Sequence, residues 1–256
     1  MPGELLLAEG ARVDAAAAAV AAGAGLAELP VRRRPRAAIL TTGDEVCQPG
    51  ESLAPGKIYD SNTAYLQARL RQLGVLSAET LRIGDDLEQL TDALRRYAGK
   101  VEILLTTGGV SVGQKDLLEE AAVAAGAQVI FHGIAMKPGM PTLFATLDGT
   151  QLLALSGNPF SAAVPFELLL RAMLGKMTGD AGLDLRPGTA VAEKGFDKSS
   201  PCRRFLRAYC REGKVYPPAA QSNGQMRSMI GCNCLIDVPA GSGAIQTGDV
   251  VQILWL

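Results

Sequence analysis

Gly108 and Gly109 stand between an apolar run at residues 101–105 and a helix-forming run that starts at Leu117, with Thr106, Thr107, Val110, Ser111 and Gly113 around them. Glycine lets the backbone approach a ligand closely or turn with positive φ. Hydroxyls and the free amides of a following helix start supply donors, so a turn of this composition can wrap a phosphate. It matches neither the GxxxxGK[ST] loop nor the GxGxxG dinucleotide fingerprint. A bare structural turn is the other reading of the same glycines.

Further groups belong with this turn if they reach the same place. Thr42, Gly43 and Asp44 follow one apolar run, Asp85 and Asp86 follow another, and Asp116 closes the Gly-rich stretch. Lys137-Pro138-Gly139 and Ser156-Gly157-Asn158-Pro159, with Ser161 just beyond, complete the set. Carboxylates at Asp44, Asp85 and Asp116 beside anion donors suit a phosphorylated ligand held with a divalent cation, because hard oxygen ligands are what Mg²⁺ takes. Each residue also has a plainer role. Asp44 can fix a turn, Asp85 can cap a helix with Glu88 completing a capping box, Asp116 can be a first-turn helix charge, and Lys137 can be a solvated lysine.

The elements that must position these groups follow from periodicity. An Ala-rich helix is predicted over residues 13–22 after a short extended piece. Strands are predicted at 37–41, 75–83, 101–105 and, more weakly, 128–131, with helices starting at Asp60, Ser61 or Asn62, at Asp85 and at Leu117 between them. Apolar strands alternating with helices indicate a mostly parallel sheet covered on both faces, whose ligands sit beyond the carboxyl ends of the strands. Residues 142–147 and 151–155 flank Asp148-Gly149-Thr150 as a hairpin, so part of the sheet is expected to be antiparallel. A last helix is expected from Asn158 as cap, with Pro159 at its first position, to Leu174. After Gly179 short alternating runs at 205–210, 214–216, 234–238 and 250–256 point to a small all-β unit. The fold class is therefore α/β, a three-layer α/β/α unit with a mixed sheet, followed by a small β-barrel.

Composition bounds the function classes. At 256 residues with 48% hydrophobic residues the chain can bury a sizeable core, and a net charge of −1 gives no global attraction to nucleic acid. The run Arg32, Arg33, Arg34, Arg36 reads as a solvated flank. No apolar stretch is long enough to span a membrane, and the start lacks a secretory pattern, so a cytoplasmic protein is expected. Five scattered cysteines argue against a disulfide framework, and His132 is the only histidine.

Taken in order, Thr42-Gly43-Asp44-Glu45, Ile58-Tyr59-Asp60-Ser61-Asn62, Gly108-Gly109-Val110-Ser111-Val112-Gly113 with Asp116, Lys137-Pro138-Gly139 and Gly157-Asn158-Pro159 resemble the molybdopterin molybdenumtransferase family. The resemblance covers nearly the whole chain. It implies residues 1–35 as a terminal strand, Ala-rich helix and linker, residues 36–179 as a molybdopterin-binding unit, and residues 180–256 as the family's small β-barrel. It also implies insertion of molybdate into adenylylated molybdopterin with release of AMP and with a divalent cation, usually Mg²⁺. A binding module that holds molybdopterin without turnover is the alternative.

By the same resemblance, residues 108–111 hold the pterin or its phosphate, Asp85 and Asp116 stand near metal or molybdate, Lys137 binds an anion, and Asn158 and Ser161 shape a helix-start pocket. A homodimer is implied. So is the absence of the family's two N-terminal domains, with a separate partner supplying them. Three positions depart from the family: Gly133 and Met140 stand where cations are usual, and Ser156 where proline is. Lysine at both 133 and 140 is expected to tighten anion binding.

Overall fold

The computed structural model describes residues 3–110, 117–197, 199–219 and 221–256. Helix α1 (Ala15–Gly23) is capped by Asp14, whose side chain accepts from the Ala17 amide, and it buries only Ala17 and Ala21. The extended piece expected before it forms no strand.

Strand β1 (Arg36–Thr42) is buried over six of its seven residues, the mark of a central strand. Short strands β2 (Val46–Cys47) and β3 (Ile58–Tyr59) pair across the Pro/Gly loop. Helix α2 (Ser61–Gln72), β4 (Leu76–Ile83), α3 (Leu87–Tyr97), β5 (Ile103–Thr107) and α4 (Leu117–Ala125) follow. Next come β6 (Gln128–His132), β7 (Met136–Lys137), β8 (Leu143–Leu147) and β9 (Thr150–Leu155).

The main sheet has the order β4-β1-β5-β9-β8-β6, with the first four strands parallel and β8 antiparallel to both neighbours. The weak strand at 128–131 thus pairs through the hairpin, at the sheet edge. Alternate residues of β1 enter opposite cores. Ala38 and Leu40 pack with Leu90, Leu94 and Leu118 on one face, while Ala37 and Ile39 pack with Leu66, Leu70, Phe166 and Leu170 on the other.

The last helix runs as α5 (Pro159–Pro165), a π-turn over Phe166–Leu170, and α6 (Arg171–Thr178). Pro165 has no amide to donate, and the wider turn directly follows it. This helix exceeds the expected end at Leu174 by one turn and stops at Gly179, which is left-handed.

Strands β10 (Arg186–Ala192), β11 (Arg203–Arg211), β12 (Lys214–Tyr216), β13 (Cys234–Val238) and β14 (Val250–Trp255) close a barrel, because β12 pairs with both β10 and β11. Strand β10 carries Pro187 and Gly188, which hide its alternation in the sequence. One pairing crosses to the α/β unit: β7 lies parallel to β11, with Met136 opposite Arg203 and Lys137 opposite Arg204. Met136, Phe160 and Val164 pack there against Phe205 and Leu235.

The Arg-rich flank is anchored at Arg36, whose guanidinium and backbone amide both donate to Glu102. The side-chain bond from Arg36 is the largest cause holding the Glu102 carboxyl at about 2, below its ordinary 4.5. A depressed folded-state pKa contributes stability that is present above about pH 4.5 and is lost as pH falls toward 2. Glu102→Gln should flatten that part of the pH–stability curve measured by urea unfolding. An unchanged curve would exclude the linkage.

Candidate functional site

The four parallel strands end level. Thr42 lies opposite Ile83, and Thr107 lies opposite both Thr41 and Leu155. The loops that follow them therefore issue side by side at one edge, where parallel sheets place ligands.

Gly108 has φ +89°, and a Cβ there would stand 2.3 Å from the Thr42 carbonyl oxygen. A Cβ on Gly109 would lie 2.9 Å from Thr42 Oγ1. The turn thus crosses Thr42 at a separation only glycine allows. The Gly108 amide donates to the Leu155 carbonyl at 3.2 Å, and a Cβ on Gly157 would be 3.5 Å from Gly108 Cα. Thr42 Oγ1 and Thr106 Oγ1 are buried and have no hydrogen-bond partner among the described residues. An unsatisfied hydroxyl beneath a Gly-Gly turn is a donor held in reserve. Val110 turns its side chain into the core, leaving only its backbone to face a ligand. Ser111, Gly113 and Asp116 lie outside the described residues.

The carboxylates divide their roles. Asp86, not Asp85, caps α3, accepting from the Gln89 amide at 2.8 Å, so the expected capping box of Asp85 with Glu88 does not form. Asp85 sits at the centre of a tight turn closed by the Asp86 amide donating to the Gly84 carbonyl at 2.8 Å, one residue before the cap position. Its exposed carboxylate is left outside the cap. Asp44 Oδ1 accepts from the Asp85 amide at 3.3 Å, which ties the loops after β1 and β4 together. Among the described residues no cluster of three or more His, Cys, Asp or Glu side chains could cage a metal. Mg²⁺ commonly takes only one or two protein carboxylates, and Asp44 and Asp85 stand on these two joined loops.

A second group of predicted residues meets elsewhere. Lys137, Pro138, Gly139, Ser156, Asn158 and Ser161 line a cleft of about 660 Å³ between the α/β unit and the barrel. From the barrel side Lys194 and Arg204 enter it, and no carboxylate is among its described lining residues. The β7–β11 pairing sets Lys137 and Arg204 opposite each other. Three cations with no carboxylate among the described lining residues favour an anion. Asn158 occupies the cap position of α5 but its side chain makes no cap bond; the Phe160 amide instead donates to the Asn223 carbonyl of the barrel at 2.9 Å.

Thr42, Asp44, Asp85, Gly108 and Gly109 do not line this cleft, so the predicted residues form two halves joined by the Ser156-Gly157-Asn158 turn. Lys194 and Arg204 were not legible as site residues in the sequence: Arg204 reaches the cleft through the β7–β11 pairing, and Lys194 reaches it from the loop after β10. Asn62, a candidate helix start by sequence, is not the cap of α2; its amide donates to Thr107 Oγ1 at 2.6 Å and to the Gly157 carbonyl at 2.9 Å.

Residues 38–176 match a family model described as a probable molybdopterin binding domain, and residues 189–256 match the MoeA C-terminal region (domain IV). The chain is 34% identical to a molybdopterin molybdenumtransferase of Bacillus subtilis (strain 168), over 98% of this chain and 60% of that protein. It is 32% identical to the one of Staphylococcus aureus (strain COL), over 98% of this chain and 61% of that protein. It therefore spans about three fifths of the length of these curated relatives. Among solved structures, the molybdopterin biosynthesis MoeA protein from Pyrococcus horikosii superposes with a TM-score of 0.86 at 26% identity, covering 99% of this chain and 62% of that one. A molybdenum cofactor biosynthesis protein from Pyrococcus furiosus shares the fold, with a TM-score of 0.75 at 20% identity, covering 99% of this chain and 80% of that one.

Proposed function

The chain belongs to the molybdopterin molybdenumtransferase family, and from that premise we propose that it binds adenylylated molybdopterin and inserts molybdate into it with release of AMP. The observation that carries this reading is the Gly108–Gly109 turn crossing Thr42 at backbone distance, next to a cation-lined cleft. The turn and the buried Thr42 hydroxyl receive phosphate or pterin oxygens. Lys137, Arg204 and Lys194 receive the oxyanion substrate, and Ser156, Asn158 and Ser161 orient it. Asp85, with Asp44 and Asp116, would hold Mg²⁺. When bound, that ion supplies neutralising charge for the phosphates during release of AMP.

Homodimer formation and a cytoplasmic setting belong to the same reading. Val20 of helix α1 and Val13, just before its cap, are about half exposed, a surface suited to a second copy. No helix among the described residues is long and apolar enough to cross a membrane. The deciding experiment measures AMP release from adenylylated molybdopterin with Mg²⁺ and molybdate, for the chain alone and with added N-terminal domains of a relative. Absence of AMP release in both arms would reject turnover. If adenylate binding persisted, it would favour the binding-module alternative.

The missing cations can be tested separately. Gly133 has φ +92°, so lysine there meets backbone strain whatever the space, and the double substitution expected from the sequence is not a clean test. Met140 lines the cleft and is partly exposed. Met140→Lys alone should tighten molybdate binding about tenfold, the effect of one partly screened charge-assisted contact. Titration calorimetry giving an unchanged affinity would show that position 140 does not face the anion.

A further inference from the structure

We propose that Asn62 is a positioning residue that holds the two halves of the site in register. The inference rests on the reading that one ligand spans the Gly108–Gly109 turn and the cleft wall that starts at Ser156. The Gly157 carbonyl can only accept, so its contact at 2.9 Å turns the Asn62 amide nitrogen inward. The same nitrogen's other hydrogen then goes to Thr107 Oγ1 at 2.6 Å, on the residue directly before the glycine turn. One side chain therefore pins the end of β5 to the start of the α5 turn.

Its mounting is rigid. Asp60, itself buried, accepts from the Thr63 amide at 2.9 Å and from Thr63 Oγ1 at 2.6 Å, and its own amide donates to the Cys47 carbonyl at 2.8 Å. Thr63 Oγ1 also lies 2.6 Å from Thr41 Oγ1, which fastens the first turn of α2 to β1. The clamp thus transmits the position of β1 to both ligand-facing loops. Asparagine suits this role because one nitrogen offers two divergent donors. Aspartate offers none, and serine offers one.

The test compares Asn62→Ala, Asn62→Asp, Thr107→Val and Thr107→Ser in the full chain. The readouts are hydrogen exchange at the Gly108 and Asn158 amides, AMP affinity, and urea unfolding. The Gly108 amide donates to the Leu155 carbonyl and the Asn158 amide to Ser156 Oγ, so their exchange reports loop position directly. Asn62→Ala and Asn62→Asp should speed exchange at both amides and weaken AMP binding, each about tenfold, with the Leu104 amide of the same sheet unchanged. Thr107→Val should reproduce the Gly108 effect and Thr107→Ser should reverse it. Loosening spread equally to Leu104, or wild-type exchange at both loops, would overturn the proposal. If the unsubstituted chain does not bind AMP, the ligand reading fails while the exchange measurements still decide the clamp. If Asn62→Ala does not fold, the two Thr107 variants carry the decision.

Discussion

Glu167→Ala should lower the unfolding free energy by about 3 kcal/mol, measured by urea denaturation, because it removes the only carboxylate that, among the described residues, pairs with two largely buried guanidinium groups. Glu167 is 2% exposed in the π-turn after Pro165. Its Oε1 accepts from Arg69 Nε at 2.7 Å and from the Tyr65 hydroxyl at 2.9 Å, and its Oε2 accepts from Arg69 Nη2 at 2.7 Å. Arg171 lies 3.4 Å from Oε2 and donates from Nε to the Leu183 carbonyl. Burial, then the Glu167 charge, pushes the Tyr65 hydroxyl far above its ordinary pKa, so it stays a donor. Arg69 retains some access to water, which places the cost at the low end for a broken buried pair. Replacing Glu167 with leucine and Arg69 with methionine together should recover much of the loss. A loss under about 1 kcal/mol for Glu167→Ala would mean that the guanidiniums find water instead.

Gly108→Ala should cost about 3 kcal/mol of stability or displace the turn, and in either case abolish AMP and molybdopterin binding. The added Cβ would meet the Thr42 carbonyl oxygen at 2.3 Å and Thr42 Oγ1 at 2.8 Å, on a backbone with φ +89°. Left-handed strain for a non-glycine residue is about 1–3 kcal/mol, and the backbone oxygen cannot rotate away. Gly109→Ala is milder, since its nearest obstacle at 2.9 Å is the Thr42 hydroxyl on a side chain that can turn. Calorimetry on both variants should rank them in that order. Wild-type affinity for Gly108→Ala would remove this turn from the site.

The α/β order was legible because the central buried strands are apolar runs and helices α2 and α3 repeat leucine at helical spacing, as Leu66 with Leu70 and Leu90 with Leu94 show. The start of α2 was legible only to within Asp60, Ser61 or Asn62, and the structure gives the cap to Asp60. Two local readings needed correction. Asp85 gave up the cap to Asp86 because turn geometry is set by the backbone and not by the nearest acidic residue. Asn158 left the Phe160 amide to the Asn223 carbonyl, far away in the chain, and no window around the α5 start contains that partner.

By itself the sequence determined the main strands and helices of the α/β unit, four of the five barrel strands, the glycine turn after β5 and the order of motifs that indicates the family; β2, β3, β7 and β10 were not legible in it. Hydrophobic periodicity, capping and glycine's freedom are properties of neighbouring residues. Only the tertiary structure decided that the site has two halves, that Lys137 faces Arg204 across the β7–β11 pairing, and that Asn62 bridges Thr107 and Gly157. Those placements depend on contacts between residues far apart in the chain. Strand pairing and packing set them, and periodicity within one segment carries no record of its distant partner.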